Sequence, residues 1–219
     1  MQPVKGTHYT ERALTLSERN KQMNVELLTR TEHIADMERV AALAALTCRG
    51  NTDREFVPSE VLGRIIKAGH ESILEHINLT YSIKGLSRAC LQEVSRHRHI
   101  SLSVESTRHT LRKLMHSEAY DIAIGVNRDK LYFMERFTEF MKQHPDMSND
   151  ELKYYLPEFW PTNLVLTSNV RELRHILKLR TAPAALKEFS ELARAMYEAV
   201  PEEFKYLLTD CVHKEASDE

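Results

Sequence analysis

Ile77-Asn78-Leu79-Thr80-Tyr81-Ser82-Ile83 is the stretch whose pattern decides the fold. Apolar Ile77, Leu79, Tyr81 and Ile83 alternate with small polar residues, the period of a strand buried on one face. Gly85 follows as a turn, and Leu86, Ala89, Cys90 and Val94 then share one side of a helix that runs into Arg96-His97-Arg98. Upstream, Met23 to Leu28 reads as a short strand and Asp36 to Thr47 as an Ala/Leu-rich helix. A second helix carries Leu62, Ile65 and Ile66 on one face, with Ser59 as its cap and Gly69 at its end. The dozen residues after Arg98 show no helical stripe and read as a loop. Asn127 to Lys142 is amphipathic and ends at His144-Pro145, and a short helix from Asn149 stops at Pro157. Asn163 to Thr167 reads as a strand, and Val170 to Leu179 and Ala184 to Val200 as helices. Long helices around a few strands that do not alternate with them regularly predict an α+β fold, a single domain with a small, mostly antiparallel sheet.

Of the 219 residues, 42% are hydrophobic and 28% charged, enough to bury a core. No window approaches the ~18 apolar residues of a membrane span, and the first twenty residues carry charges where a signal peptide is apolar, so membrane insertion and secretion are not expected. The 30 Lys and Arg against 32 Asp and Glu supply no global field for a long nucleic acid, so any anion grip must be local. Cys48, Cys90 and Cys211 contain no CxxC pair, which predicts neither a disulfide framework nor structural zinc and fits a cytoplasmic protein. No GxGxxG or GxxxxGK[ST] string occurs, so bound phosphates must be held by side chains. Residues 1–22 read as an extension, 23–212 as the folded unit and 213–219 as a solvated tail.

The strongest local departure from the mean lies between Arg88 and Lys113, where Arg88, Arg96, Arg98, Arg108, Arg112 and Lys113 face only Glu93 and Glu105. A solvated basic face and a convergence of guanidiniums on one small anion both fit this run. A second string, His70-Glu71-Ser72-Ile73-Leu74-Glu75-His76, spaces its histidines six apart, unlike the i, i+4 pair of a helical zinc site, so no metal is expected there. Helix capping or ligand hydrogen bonding suits it better. In the third string, Asn169 to Arg180, the side chains of Asn169, Arg171 and His175 can line the first turns of a helix with Arg180 at its far end.

The order of these strings is more specific than any one of them. Arg96-His97-Arg98, seven residues, then Ser106 resembles the RHRx7S signature of the flavin-dependent thymidylate synthases. HESILEH at 70–76, IKGLSRACLQEVSRHRHISLSVESTRHTL from Ile83 and NVRELRHILKLR at 169–180 are similar to the segments around that signature. The resemblance implies a homotetramer, with sites shared between subunits, that converts dUMP to dTMP in deoxynucleotide synthesis. It further implies bound FAD, NADPH as reductant and 5,10-methylenetetrahydrofolate as the one-carbon donor. A flavin-free module gripping nucleotide or RNA phosphates is the competing class, but it lacks the interleaved aromatics of a single-strand groove.

Carried over residue by residue, the resemblance assigns Ser72, Glu75, Arg96, His97, Arg98, Asn169, Arg171 and His175 to the flavin. It assigns Gln92, Glu93, Arg96, Glu105, Ser106, Thr107, Arg108, Lys153 and Arg180 to dUMP, with Lys153 reaching the phosphate from another subunit and Arg180 activating the uracil. This sequence departs from the family at Val104, where relatives carry an acidic or amide residue and Glu105 is one position off. The helix before Arg96 offers both Gln92 and Glu93 where many relatives have one Gln. Ala184-Ala185-Leu186-Lys187-Glu188 stands in place of His-Ala-Gln-Trp-Glu. That other thymidylate synthases use a nucleophilic cysteine agrees with the flavin route here, since the basic loop contains no cysteine.

Overall fold

A computed structural model describes residues 23–51, 55–114 and 128–214, so the proposed extension at 1–22 lies outside the described residues. Strands β1 (Asn24–Leu27), β2 (Asn78–Ser87), β3 (Ile100–Val104) and β4 (Pro161–Asn169) form an antiparallel sheet in the order β1-β2-β4-β3. Tyr81 sits opposite Leu27 on one side and Leu166 on the other, so the alternation of β2 buries one face of the sheet's centre. The helices are α1 (Thr31–Thr47), α2 (Pro58–Lys67), α3 (Arg88–Val94), α4 (Thr107–Leu114), α5 (Arg128–Gln143), α6 (Asn149–Leu152), α7 (Val170–Arg180) and α8 (Lys187–Glu198). The α+β expectation therefore holds.

Several local expectations need correction. Strand β2 does not end at Gly85 but passes through it to Ser87; Gly85 takes φ +81° where the register against β4 shifts between Ile83 and Leu86. A residue without Cβ adopts that left-handed geometry cheaply, so the glycine makes a bulge rather than a turn. Ser87 then starts α3, its hydroxyl accepting from the Cys90 N–H, while Glu188 of α8 accepts from both the Ser87 N–H and its hydroxyl. Helix α2 begins at Pro58 after Val57, so Ser59 lies inside it and caps nothing, whereas Gly69 at φ +73° follows its end as expected. The segment after Arg98 is not a loop: Ile100, Leu102 and Val104 alternate in the edge strand β3, and α4 follows. Helix α8 starts at Lys187, three residues later than the expected Ala184.

Two apolar clusters result. The main one packs the sheet against α1, α2, α3, α7 and α8, with Leu79, Tyr81, Ile83, Leu173, Leu177, Phe189 and Leu192 at its centre. A smaller one joins α4, α5 and α6 through Leu111, Met134, Phe137, Met141, Leu152 and Trp160. The two meet where the N–H groups of Arg88 and Ala89 donate to the carbonyls of Trp160 and Glu158. Arg174, 1% exposed, fastens α7 to its surroundings by donating to the Leu207 carbonyl, both carboxylate oxygens of Asp210 and Glu71 Oε1. Of these charged groups only Arg174 is buried, and losing both carboxylates would leave its charge uncompensated away from water, which is strongly destabilising.

Candidate active site

The site grows from α7. Asn169 closes β4 and caps the helix, its Oδ1 accepting from the Glu172 N–H at 2.8 Å. This fixes Glu172 in the first turn, where its buried carboxylate meets the ring of His97 at Nδ1, 2.9 Å away. His97 comes from the connection between α3 and β3, so the basic triplet lies just past a helix end with its middle residue turned inward and Arg96 and Arg98 exposed. Arg180, in the last turn of α7, donates Nε–H to His97 Nε2 at 3.2 Å and Nη1–H to Glu93 Oε2 at 3.2 Å. Its guanidinium also lies 4.6 Å from the centre of the Phe189 ring, a cation–π arrangement that leaves the side chain 15% exposed. Burial pushes the His97 pKa down, the hydrogen bond to Glu172 pulls it up, and the charge of Arg180 pushes it down again, with a net lowering.

Two cavities of about 470 Å³ each flank this assembly and share His99, Glu172 and His175 in their walls. One is lined by Arg96, His97, Arg98 and Arg180, the other by Glu71, Glu75, Asn169 and Arg171. Arg171 is half exposed and pairs with Glu75 through Nη1. Glu71 is held below the usual carboxylate range because hydrogen bonds from Arg174 and Lys178 outweigh its desolvation. Arg98 and His99 make no side-chain hydrogen bond or ion pair among the described residues, leaving their donors available to a ligand. His97, Glu172 and His175 bring possible metal-ligand atoms within 4.8 Å of one another, but both ring nitrogens of His97 are engaged and a guanidinium stands against the ring, which opposes a cation. A further cavity of about 560 Å³ between α1 and α2, lined by Arg49, Phe56 and Arg64 among others, contains none of the expected site residues.

The remaining expected residues lie elsewhere. Ser106, Thr107 and Arg108 begin α4, and Asp150 joins Arg108 Nε at 2.8 Å to Lys153 Nζ at 3.3 Å, within one chain. Glu105 precedes them, its Oε2 accepting from Asn163 Nδ2 at 2.6 Å, while Asn163 Oδ1 accepts from the N–H of Gly85 at the bulge. Gln92 donates to Glu158, and Ser72 is exposed in the 3-10 turn Glu71–His76 without lining either cavity. Arg112 does not converge with the other arginines: its Nη2 donates to the carbonyls of His144, Pro145 and Met147. Cys90 is buried and its thiol is pushed up to about 12, first by burial and then by the charge of Glu188, so it is a neutral thiol rather than a nucleophile.

The thymidylate synthase complementing protein family matches residues 26–204, which take in all of the sheet but the first two residues of β1, together with α7 and both cavities. The chain belongs to the flavin-dependent thymidylate synthase family. Relatives named flavin-dependent thymidylate synthase include that of Campylobacter jejuni, 38% identical over 182 residues, covering 77% of this chain and 85% of the relative. Another, from Helicobacter pylori, is 37% identical over 180 residues, covering 74% and 84%. Among solved structures, thymidylate synthase X of Helicobacter pylori with FAD and dUMP superposes with a TM-score of 0.75 at 32% identity, covering 88% of this chain and all of that one. The UMP/dUMP methylase PolB of Streptomyces cacaoi, at 17% identity and a TM-score of 0.65, shares the fold.

Sequence reasoning missed Glu172, Phe189, Asn163 and Asp150. Glu172 hides in a helix of alternating charges, where a glutamate next to arginines reads as surface. Phe189 was legible only as part of the core stripe of α8. Asn163 and Asp150 act through contacts with residues far away in sequence, and no spacing rule points to them.

Proposed function

We propose that the protein is an FAD-dependent enzyme that methylates dUMP to dTMP, with 5,10-methylenetetrahydrofolate as one-carbon donor and NADPH as reductant. The observation that carries this reading is the common wall of His99, Glu172 and His175 between the Arg180 cavity and the Arg171 cavity, which suits two ligands held against each other. The residues fit a cofactor with phosphates and a flat ring system: Arg98, Arg171, His99 and His175 offer cationic or hydrogen-bonding groups, and Asn169 stands at the helix start beside them. Glu75, Arg96, Arg98, Asn169, Arg171 and His175 would hold it from these walls, the His97 ring would border it while its nitrogens stay with Glu172 and Arg180, and Ser72 would reach it from the adjoining 3-10 turn. When bound, the flavin supplies the hydride that completes the methyl group.

The protein's own work is positioning and electrostatics. Alkylation at uracil C5 requires negative charge to grow on the ring carbonyls, and Arg180 presents fixed N–H donors in a nearly buried setting where such charge is stabilised most. Arg96 and Glu93 flank it, and Gln92 lies on the same helix. Arg108 and Lys153 take the nucleotide phosphate, with Ser106 and Thr107 at the start of α4 and Glu105 held beside them by Asn163. Assembly as a homotetramer would let a lysine of one subunit serve the pocket of another. The catalytic unit spans 23–212, and its three cysteines are free, which suits a reducing, cytoplasmic setting; no helix among the described residues is long and apolar enough to cross a membrane.

The test is a visible spectrum of the purified protein followed by anaerobic NADPH, with and without dUMP, and assay of dTMP. Flavin bands that bleach faster with dUMP are expected; a colourless protein that takes up no added FAD would sink the proposal. Arg180→Ala is expected to keep its FAD and lose ~10²-fold or more in turnover. Normal turnover in that variant removes Arg180 from the activating role.

A further inference from the structure

We propose that Glu172 is a positioning residue: its buried carboxylate holds His97 as the Nδ1–H tautomer, leaving Nε2 as the acceptor that seats Arg180. The inference deepens the reading of Arg180 given above and rests on it for its catalytic consequence, but the tautomer itself does not. A guanidinium can only donate, so the contact between Arg180 Nε and His97 Nε2 requires a bare Nε2. The ring proton must then sit on Nδ1, where Glu172 Oε1 accepts it at 2.9 Å. An imidazolium would turn an N–H toward the guanidinium and break the seat.

Each member of the arrangement is held by a partner. Asn169 fixes Glu172 by capping the helix that also carries Arg180, so one element holds both ends of the relay, about two turns apart. The groups facing the His97 ring are Glu172, His175 and Arg180 from α7 and Phe189 from α8, with Glu93 of α3 acting through Arg180. The edge-on packing of Phe189, 5.6 Å between centroids, leaves the imidazole little freedom to flip. Burial lowers the His97 pKa, which keeps the ring neutral as the relay requires.

The tautomer is read directly from two-bond proton–nitrogen NMR correlations of 15N-histidine-labelled protein at pH 7.5, with His97 assigned by its loss in His97→Asn. Wild type is expected to show Nδ1–H, and Glu172→Gln a population of Nε2–H. In the dTMP assay Glu172→Gln is expected to lose ~10-fold or more in kcat, the range of second-layer histidine partners, with a smaller change in KM for dUMP and unchanged FAD content. Because the effect runs through Arg180, adding Glu172→Gln to Arg180→Ala should cost little more. A wild-type His97 that is Nε2–H or doubly protonated overturns the proposal, whether or not the variant folds. An undiminished loss in the double variant overturns it as well. Absence of dTMP formation by wild type would instead defeat the parent reading, while the NMR result would still decide the tautomer.

Discussion

Arg180 and Arg108 are both arginines paired with a carboxylate, yet they belong to different physical regimes. Arg180 lies in the main body, 15% exposed, fixed by His97, Glu93 and the face of Phe189. Arg108 lies on the smaller lobe of α4, α5 and α6, 67% exposed, against an Asp150 that also serves Lys153. A guanidinium excluded from water exerts a strong field in one direction and loses almost no freedom when a ligand arrives. One in solvent is screened and mobile, which suits capture of a phosphate rather than activation of a ring. On the proposed reading, the body would polarise the substrate and the lobe would catch its phosphate.

The largest effects expected come from loosening one region and not the other. Trp160→Ala should cost ~3–5 kcal/mol and Leu173→Ala ~2–5 kcal/mol, because both side chains are fully packed. Trp160 belongs to the lobe's cluster and Leu173 to the main core beneath α7. Trp160→Ala should therefore raise KM for dUMP and speed hydrogen exchange in α4 and α5 while FAD content holds. Leu173→Ala should lose FAD. Parallel loss of FAD in both variants would mean that the regions unfold as one, and the contrast would collapse.

A smaller pair of effects sharpens the division at single side chains. Arg171→Ala is expected to weaken FAD retention with little change in KM for dUMP, and Arg108→Ala to do the reverse. Each change should be ~10-fold or somewhat more, since a hydrogen bond to a charged group contributes ~1.5–3 kcal/mol. FAD stoichiometry and KM for dUMP, measured on the same preparations, check both. If Arg108→Ala leaves KM alone, the phosphate lies elsewhere and the lobe is only structural.

The body was more legible in the sequence than the lobe, for reasons of periodicity and locality. The alternation from Ile77 to Ile83 and the stripe Leu173, Ile176, Leu177 announce their partners because core packing imposes a regular period. The edge strand from Ile100 to Val104 hid behind its two serines, and whether Arg112 joined a cluster or a solvated face stayed open because charge alone does not reveal that its guanidinium is occupied by carbonyls. The link of Arg108 to Lys153 depends on Asp150, about a lobe's length of chain away, and Glu172 looked like surface because its role comes from a ring that the fold delivers. What a motif supplies is the identity of groups; which of them is buried, paired or free is a property of packing.

The smallest effect concerns protons, and it discriminates between the regions by pH. The His97 pKa lies below its ordinary value of 6.5, chiefly through burial, so between 6.5 and the folded value the unfolded chain binds a proton that the folded one refuses. The stability that the neutral ring contributes is therefore complete above 6.5 and is lost as pH falls toward the folded value. Glu71 and Asp210 titrate only below their ordinary 4.5 and 3.8, where losing charge would release Arg174, so they do not interfere in this window. Asp150 of the lobe likewise stays charged above its ordinary 3.8: desolvation pushes its carboxyl up, but the hydrogen bonds and charges of Lys153 and Arg108 together outweigh it. Between pH 7.5 and 5.5 the melting temperature of wild type should fall more than that of His97→Asn. Equal slopes in the two proteins would show that the proton is taken up elsewhere and that the ring is not held neutral by the body around it.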